Sequence, residues 1–292
     1  MALWASRARP VFLSRSGRQA LLQVLWHVAM LTFGTTMLVP LVWLVSTSFK
    51  EKGHEFIFPP QWIPDPVKWE NYPTALTILP FNLYVRNTLI VVALALIGAL
   101  LTSSLAAFAF ARLRFPLRDF WFMVVISTLM LPGIVTLIPR FILFRHLGWV
   151  DTLLPLIVPA WLGGGPLNIF LIRQFFRTIP YELDEAARVD GANSLRIWWQ
   201  ILMPLSGPVL ATVAVLSFLF HWNDFLEPLI YLNSEENKTI AIGLNTFRSL
   251  QSSDWNLMMA ASAVMIVPVL VIFFAAQKYF VQSINVSGFG GR

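Results

Sequence analysis

Residues 181–204 read YELDEAARVDGANSLRIWWQILMP, a polar and charged segment set between long apolar runs. A chain that only had to cross a bilayer would not need such a segment. Pro180 suits a helix start, because its missing N–H would be unpaired there anyway. Glu182, Asp184 and Glu185 follow in the first turn, where the helix dipole favours carboxylates. Leu183, Ala186 and Ala187 supply a small apolar side that lets the helix approach a partner surface closely. Gly191 ends the helix, since glycine takes the left-handed conformation cheaply. Asn193 or Ser194 can cap a second helix, LRIWWQILMP, apolar enough to lie in a membrane interface and lead into the next span.

The flanking runs set the class. Of 292 residues, 57% are hydrophobic and only 12% charged, against about 25% charged in soluble domains. The mean hydropathy is +0.68. Backbone groups inside a bilayer must be paired internally, so apolar runs of this length are helices or barrel strands. Continuous runs of about 20 residues select helices. The net charge of +6 reflects arginines beside the apolar runs, where they set topology; it does not point to nucleic acid. There are no cysteines, which excludes disulfides and thiolate metal sites. Arg7, Arg9, Arg15 and Arg18 precede an apolar run that continues to about Ser46 with no small-residue cleavage site after it. That run is too long for a signal-peptide core and reads as a retained first transmembrane helix.

Six spans emerge, at about 21–46, 84–111, 119–143, 151–175, 205–232 and 256–280, in a single transmembrane domain over 21–292. Residues 1–20 form an N-terminal segment, 178–204 the polar loop and 281–292 a tail. Thirteen of the 21 Lys and Arg residues fall on the side that holds both termini, the 112–118 loop and the polar loop, and eight on the other. The richer side marks the cytoplasm. The 47–83 loop, with Pro59, Pro60, Pro64 and Pro66, reads as an irregular external cap, because prolines at that density exclude a helix interior.

Within the spans, ionisable groups are costly and mark candidate sites. Asp224 and Glu227 stand three apart, on one face if the helix is continuous, with His221 on the same side. Asp224 either bonds a neighbouring span or lines a pathway together with Trp222 and Asn223, whose ring and amide suit sugars. Pro132-Gly133, Pro139 and the Gly163–Pro166 run break spans three and four, as in transporters whose broken helices face a cavity. Asn168, just after the glycines, faces such a pathway or pairs with a neighbour. Arg140 either snorkels to the outer interface or meets an anionic substrate. No phosphate-binding GxxxxGK[ST] loop, clustered-histidine motif or Ser-His-Asp set is present, so neither ATP hydrolysis nor metal catalysis is expected of this chain.

The order Glu185-Ala186-Ala187, Asp190-Gly191-Ala192 and Leu202-Met203-Pro204, placed between spans four and five, resembles the cytoplasmic EAA loop of ABC-importer permeases. The phrase Trp222-Asn223-Asp224-Phe225-Leu226 and the Gln277-Lys278-Tyr279-Phe280-Val281 tail are similar to the sugar-type branch, although Glu227 stands where Trp often precedes Pro228. The resemblance implies an all-α integral membrane protein of six transmembrane helices and a cytoplasmic coupling helix, the MetI-like permease fold, similar to the smaller maltose-type subunit. It implies that Glu182, Glu185, Ala186, Ala187, Asp190 and Gly191 meet an ATPase, with Glu185 contacting a basic residue there. It further implies a second homologous permease, two ATPase subunits that bind ATP and magnesium in this chain's stead, and an external sugar-binding protein, with the tail entering the ATPase interface in some members. The rival class, an ion-coupled carrier or channel, would show several paired ionisable groups and repeat symmetry. A membrane-embedded enzyme would need a catalytic set that is not visible.

Overall fold

The structure is a computed structural model that describes the backbone of residues 15–250 and 254–288. Among the described residues there are helices and turns and no strand. In chain order the helices are α1 (Arg15–Ser48), α2 (Asn71–Ile78), α3 (Phe81–Arg112), α4 (Arg118–Ser127), α5 (Gly133–His146), α6 (Leu154–Trp161) and α7 (Pro166–Phe176). There follow α8 (Glu182–Val189), α9 (Ser194–Ile197), α10 (Met203–Leu205), α11 (Gly207–Asn223), α12 (Leu226–Tyr231), α13 (Ile240–Leu250) and α14 (Trp255–Gly288).

Four stretches are long and apolar enough to cross a membrane: Gln19–Ser48, Phe81–Arg112, Leu154–Phe176 and Trp255–Lys278. Two more pass only as bent pairs, α4 with α5 at 99° and α9–α10 with α11 at 82°. The first bend falls at Leu131-Pro132, where proline cannot donate the next helical bond. The second falls at Ser206-Gly207, just after Pro204. The stretch read as one span over 205–232 is itself two helices, because Asp224 is extended (ψ 119°) and separates α11 from α12. The helix α14 continues to Gly288, so the first part of the expected tail is helical. The extreme tail, 289–292, and the N-terminal arginines Arg7 and Arg9 lie outside the described residues.

The helix α3 is the central post. The helices α6, α7 and α11 pack against it, while α1 contacts α14 and is otherwise exposed along residues 19–40. The buried face of α3 carries small residues, among them Ala95, Gly98, Ala99, Ser103 and Ala107. Small residues let helix backbones approach, and dispersion then replaces the hydrophobic drive that lipid cannot supply. Trp161 lies over Gly98 and donates its indole N–H to the Leu94 carbonyl at 3.1 Å. This places Trp161 in a contact between α6 and α3. The break between α6 and α7 turns through Gly163, Gly164 and Gly165, with φ of 109°, 67° and 92°. A Cβ on Gly164 would collide with the Ala99 carbonyl and with Ser103.

On the face opposite the polar loop, Asp151 ties two turns together. It accepts backbone N–H bonds from Asn233 (2.9 Å) and Ser234 (2.8 Å) and the Ser234 hydroxyl, and its carbonyl accepts from Asn237 at 2.6 Å. These donors, the Ser234 hydroxyl foremost, hold its carboxyl well below the ordinary carboxylate range. A depressed pKa contributes stability that is complete above the unfolded value and is lost as pH falls toward the folded one. The Asp151→Asn variant should therefore show faster amide exchange at Asn233 and Ser234 at neutral pH, and should lack the wild type's acid-dependent fall in protection, measured relative to the intrinsic exchange rate at each pH. Gly164→Ala should disrupt α3–α7 packing, because it combines a positive φ with a backbone collision; thermal unfolding of the purified protein, with Gly34→Ala as the comparison at an open site, measures the loss.

Candidate functional site

The polar loop forms a helix, a turn and a second helix that lie against the end of the bundle. The helix α8 begins at Glu182, two residues after Pro180. Gly191 follows it with φ 81°, the left-handed conformation. The Asn193 side chain then accepts the Arg196 N–H at 2.9 Å and so caps α9. The expected second helix is short: α9 gives way to a wide π-type turn over Trp198–Leu202 before α10. Such insertions are frequent at functional positions.

The three carboxylates of α8 do not behave alike. Glu182 and Glu185 are exposed, whereas Asp184 is fully buried. Its Oδ2 lies 3.2 Å from Nε of Arg112, the last residue of α3, and both side chains are out of solvent. Nη2 of Arg112 also donates to the Ile179 carbonyl at 2.8 Å, and the guanidinium lies 5.4 Å from the Tyr181 ring. Burial pushes the Asp184 carboxyl above its ordinary range, opposed by Arg112 and then Arg188. The pair therefore sits where desolvation and Coulomb attraction compete. Asp184 is the residue that sequence reasoning placed only as a dipole-complementing acid. The available signal was Arg112 itself, an arginine closing a long apolar run.

Around this pair, Ile179, Ala187, Ala192 and Ile197 pack with Phe108 of α3 and Phe176 of α7. The opposite face stays open: Glu182, Glu185, Ala186, Asp190 and Gly191 are exposed, as are Leu183 (42%), Val189 (88%) and Leu195 (61%). Ala187 is half-buried and turns toward the bundle. A recess of about 280 Å³ beside α8 is lined by Arg112, Arg114, Tyr181, Glu185 and Arg188.

The candidate pathway residues divide between two cavities. Trp222 and Asn223 line one of about 510 Å³, with Asn245 from α13 and Ser262 from α14. Trp222 is buried and stacks on Phe218 at 5.4 Å; Asn223 donates to the Leu219 carbonyl at 2.9 Å. Asn168 lines a different cavity of about 480 Å³, together with Ser217, His221, Arg140 and Glu227. Its amide donates to the Gly164 carbonyl at 2.6 Å and to Ser217 Oγ at 3.3 Å. Asp224 lines neither. Its Oδ1 accepts the Glu227 N–H at 3.3 Å across the break that starts α12. Asp224 and Glu227 thus do not share a continuous helix face, because the chain turns between them. Nη1 of Arg140 is 2.7 Å from Glu227 Oε1, an ion pair that joins α5 to α12 on the wall of the cavity that also holds Asn168.

The geometry separates a structural acid from exposed ones within three residues of chain. Asp184→Ala should destabilise the protein by about 3 kcal/mol, the cost of stranding one buried charge. The double variant Asp184→Leu, Arg112→Met should recover most of that loss, since an apolar pair of similar volume replaces a desolvated one. Thermal unfolding of the purified variants checks both.

Residues 95–286 match the family described as the binding-protein-dependent transport system inner membrane component. Similar relatives include the probable ABC transporter permease protein YurM of Bacillus subtilis strain 168, 32% identical over 84% of this chain and 81% of the relative. The diacetylchitobiose uptake system permease protein NgcG of Streptomyces coelicolor is 32% identical over 89% of this chain and 86% of that one. The sn-glycerol-3-phosphate transport system permease protein UgpE of Yersinia pestis is 31% identical over 90% and 96%. Among solved structures, a bacterial ABC transporter involved in import of the acidic polysaccharide alginate superposes with a TM-score of 0.79 at 24% identity, covering 93% of this chain and all of that one. A helical chain crossing the membrane several times, with a loop of this order anchored to its central span, belongs to the binding-protein-dependent transport system inner membrane component family.

Proposed function

We propose that this chain is one of two homologous permease halves of an ATP-driven importer for a sugar, a disaccharide or oligosaccharide. The observation that carries the coupling role is the two-sided α8. Asp184 and Ala187 seat it on α3 and α7, while Glu182, Glu185, Ala186, Asp190 and Gly191 face outward as a compact mixed surface. That surface suits a cleft in an ATPase subunit, with Glu185 meeting a basic residue there. ATP and magnesium belong to that partner, two copies of which serve the two halves. Both termini and α8 lie in the cytoplasm of a prokaryotic cell, in keeping with the distribution of arginines. An external binding protein delivers the sugar to the opposite face.

The sugar reading draws on the diacetylchitobiose permease NgcG among the similar relatives and on the Trp222-Asn223-Asp224-Phe225-Leu226 phrase. Trp222 and Asn223 offer an aromatic face and an amide in one cavity, and Asn168 an amide in the other. Closure of the ATPases would move α8, and α3 would carry that movement to α6, α7 and α11 between two packings of the bundle.

Gentle detergent extraction followed by identification of copurifying chains tests the assembly: a second permease, ATPase subunits and a binding protein support it, and a lone homo-oligomer refutes it. Glu185→Arg should abolish copurification of the ATPase while leaving this chain in the membrane; undiminished uptake by that variant would remove the coupling assignment. Asp224→Asn should lower transport more than expression, whereas loss of the protein from the membrane would make Asp224 only the cap of α12.

A further inference from the structure

The stretch FIFPPQWIPDPV, residues 56–67, is apolar, rich in proline and exposed. Phe58 is 94% and Ile63 81% exposed, and Phe56 and Trp62 are open as well. An aromatic loop in water is unfavourable, yet this one is held in place at three points. Trp62 packs edge-on against Trp43 of α1 at 5.3 Å, and its carbonyl accepts the Ser46 hydroxyl at 2.5 Å. Phe56 packs edge-on against Trp255, the first residue of α14, at 5.5 Å. The Lys68 N–H donates to the Phe49 carbonyl at 2.8 Å and closes the loop.

These ties fix its height. Trp43 lies five residues before the end of α1 at Ser48, roughly 8 Å back along the helix axis. The apolar part of α1, 30 residues, spans about 45 Å. That length reaches through the headgroup layers on both sides of a hydrocarbon core of about 30 Å. The loop therefore folds back alongside the last turns of a membrane helix, at the level where aromatic rings concentrate and water still reaches the backbone. Its outer surface continues the exposed apolar flank of α1 at Val42 and Val45. Asp65 is the only charged residue in the stretch, and it holds no Lys or Arg, so attraction to anionic lipid is not what would hold it there.

We infer that residues 56–63 are an interfacial membrane anchor, with Phe58 and Ile63 inserted among the lipid headgroups beside the end of α1. The occupant of this surface is the bilayer, not a protein partner. The anchor would hold the α1–α2 connection, and through Phe56 the start of α14, at a constant depth.

The absence of cysteines allows a direct test. Phe58→Cys and, as reference, the exposed His54→Cys would each carry an environment-sensitive fluorophore. The chain would be reconstituted with the subunits that copurify with it, their own cysteines removed, in phosphatidylcholine nanodiscs with or without phosphatidylglycerol. The expected result is that the label at position 58 is quenched several-fold more by a lipid bearing a headgroup-proximal nitroxide than by aqueous iodide. The label at 54 should show the reverse order, and phosphatidylglycerol should leave the nitroxide quenching of both labels unchanged. Iodide quenching at 58 equal to that at 54 would place the loop in water and overturn the inference. Protection at 58 from both quenchers would mean that a protein subunit covers it, and would overturn it equally.

Discussion

The buried contact between Arg112 and Asp184 is the constraint on which the arrangement of this protein turns. A carboxylate and a guanidinium removed from water are each expensive, and neither is tolerable alone. Their meeting therefore dictates that α8 stay seated at the end of α3. Burial works against the carboxylate and raises Asp184 above its ordinary range, while Arg112 opposes that shift. The setting of α8 that brings Asp184 to Arg112 leaves Glu182 and Glu185 exposed.

The rest of the bundle depends on how closely other helices approach α3. Gly98 receives the Trp161 ring, and Gly164 lies against the Ala99 carbonyl with no room for a side chain. Contacts of this kind are short-ranged and rigid, because interiors are packed to near-crystalline density. The glycine break between α6 and α7 is a close contact as well as an interruption. It lets the backbone come close to α3 and leaves Gly164 and Gly165 on the wall of the cavity that also holds Asn168.

Much of this was legible from composition and local chemistry. Apolar runs marked the long helices, since bilayer physics leaves few alternatives, and Gly191 and Asn193 punctuated the polar loop as their backbone preferences require. What was not legible depends on tertiary partners. Three acids in one turn of α8 look equivalent until Arg112 selects Asp184. The helical period placed Asp224 and Glu227 on one face, but an extended Asp224 breaks the helix between them. Arg140 carries no local mark that its partner is Glu227, because the two are brought together by α5 and α12 across the fold. The division of Asn168 from Trp222 and Asn223 likewise follows from the two cavities.

The helix α3 is a single unbroken rod of 32 residues, roughly 48 Å from end to end. One end is pinned to α8 by Arg112, and the other holds Asn87 and Thr88 against the 236–240 segment. A rod without a hinge has no slack to absorb displacement. A displacement imposed at one end of such a helix has a direct covalent and hydrogen-bonded route to the other, with no diffusible messenger between them.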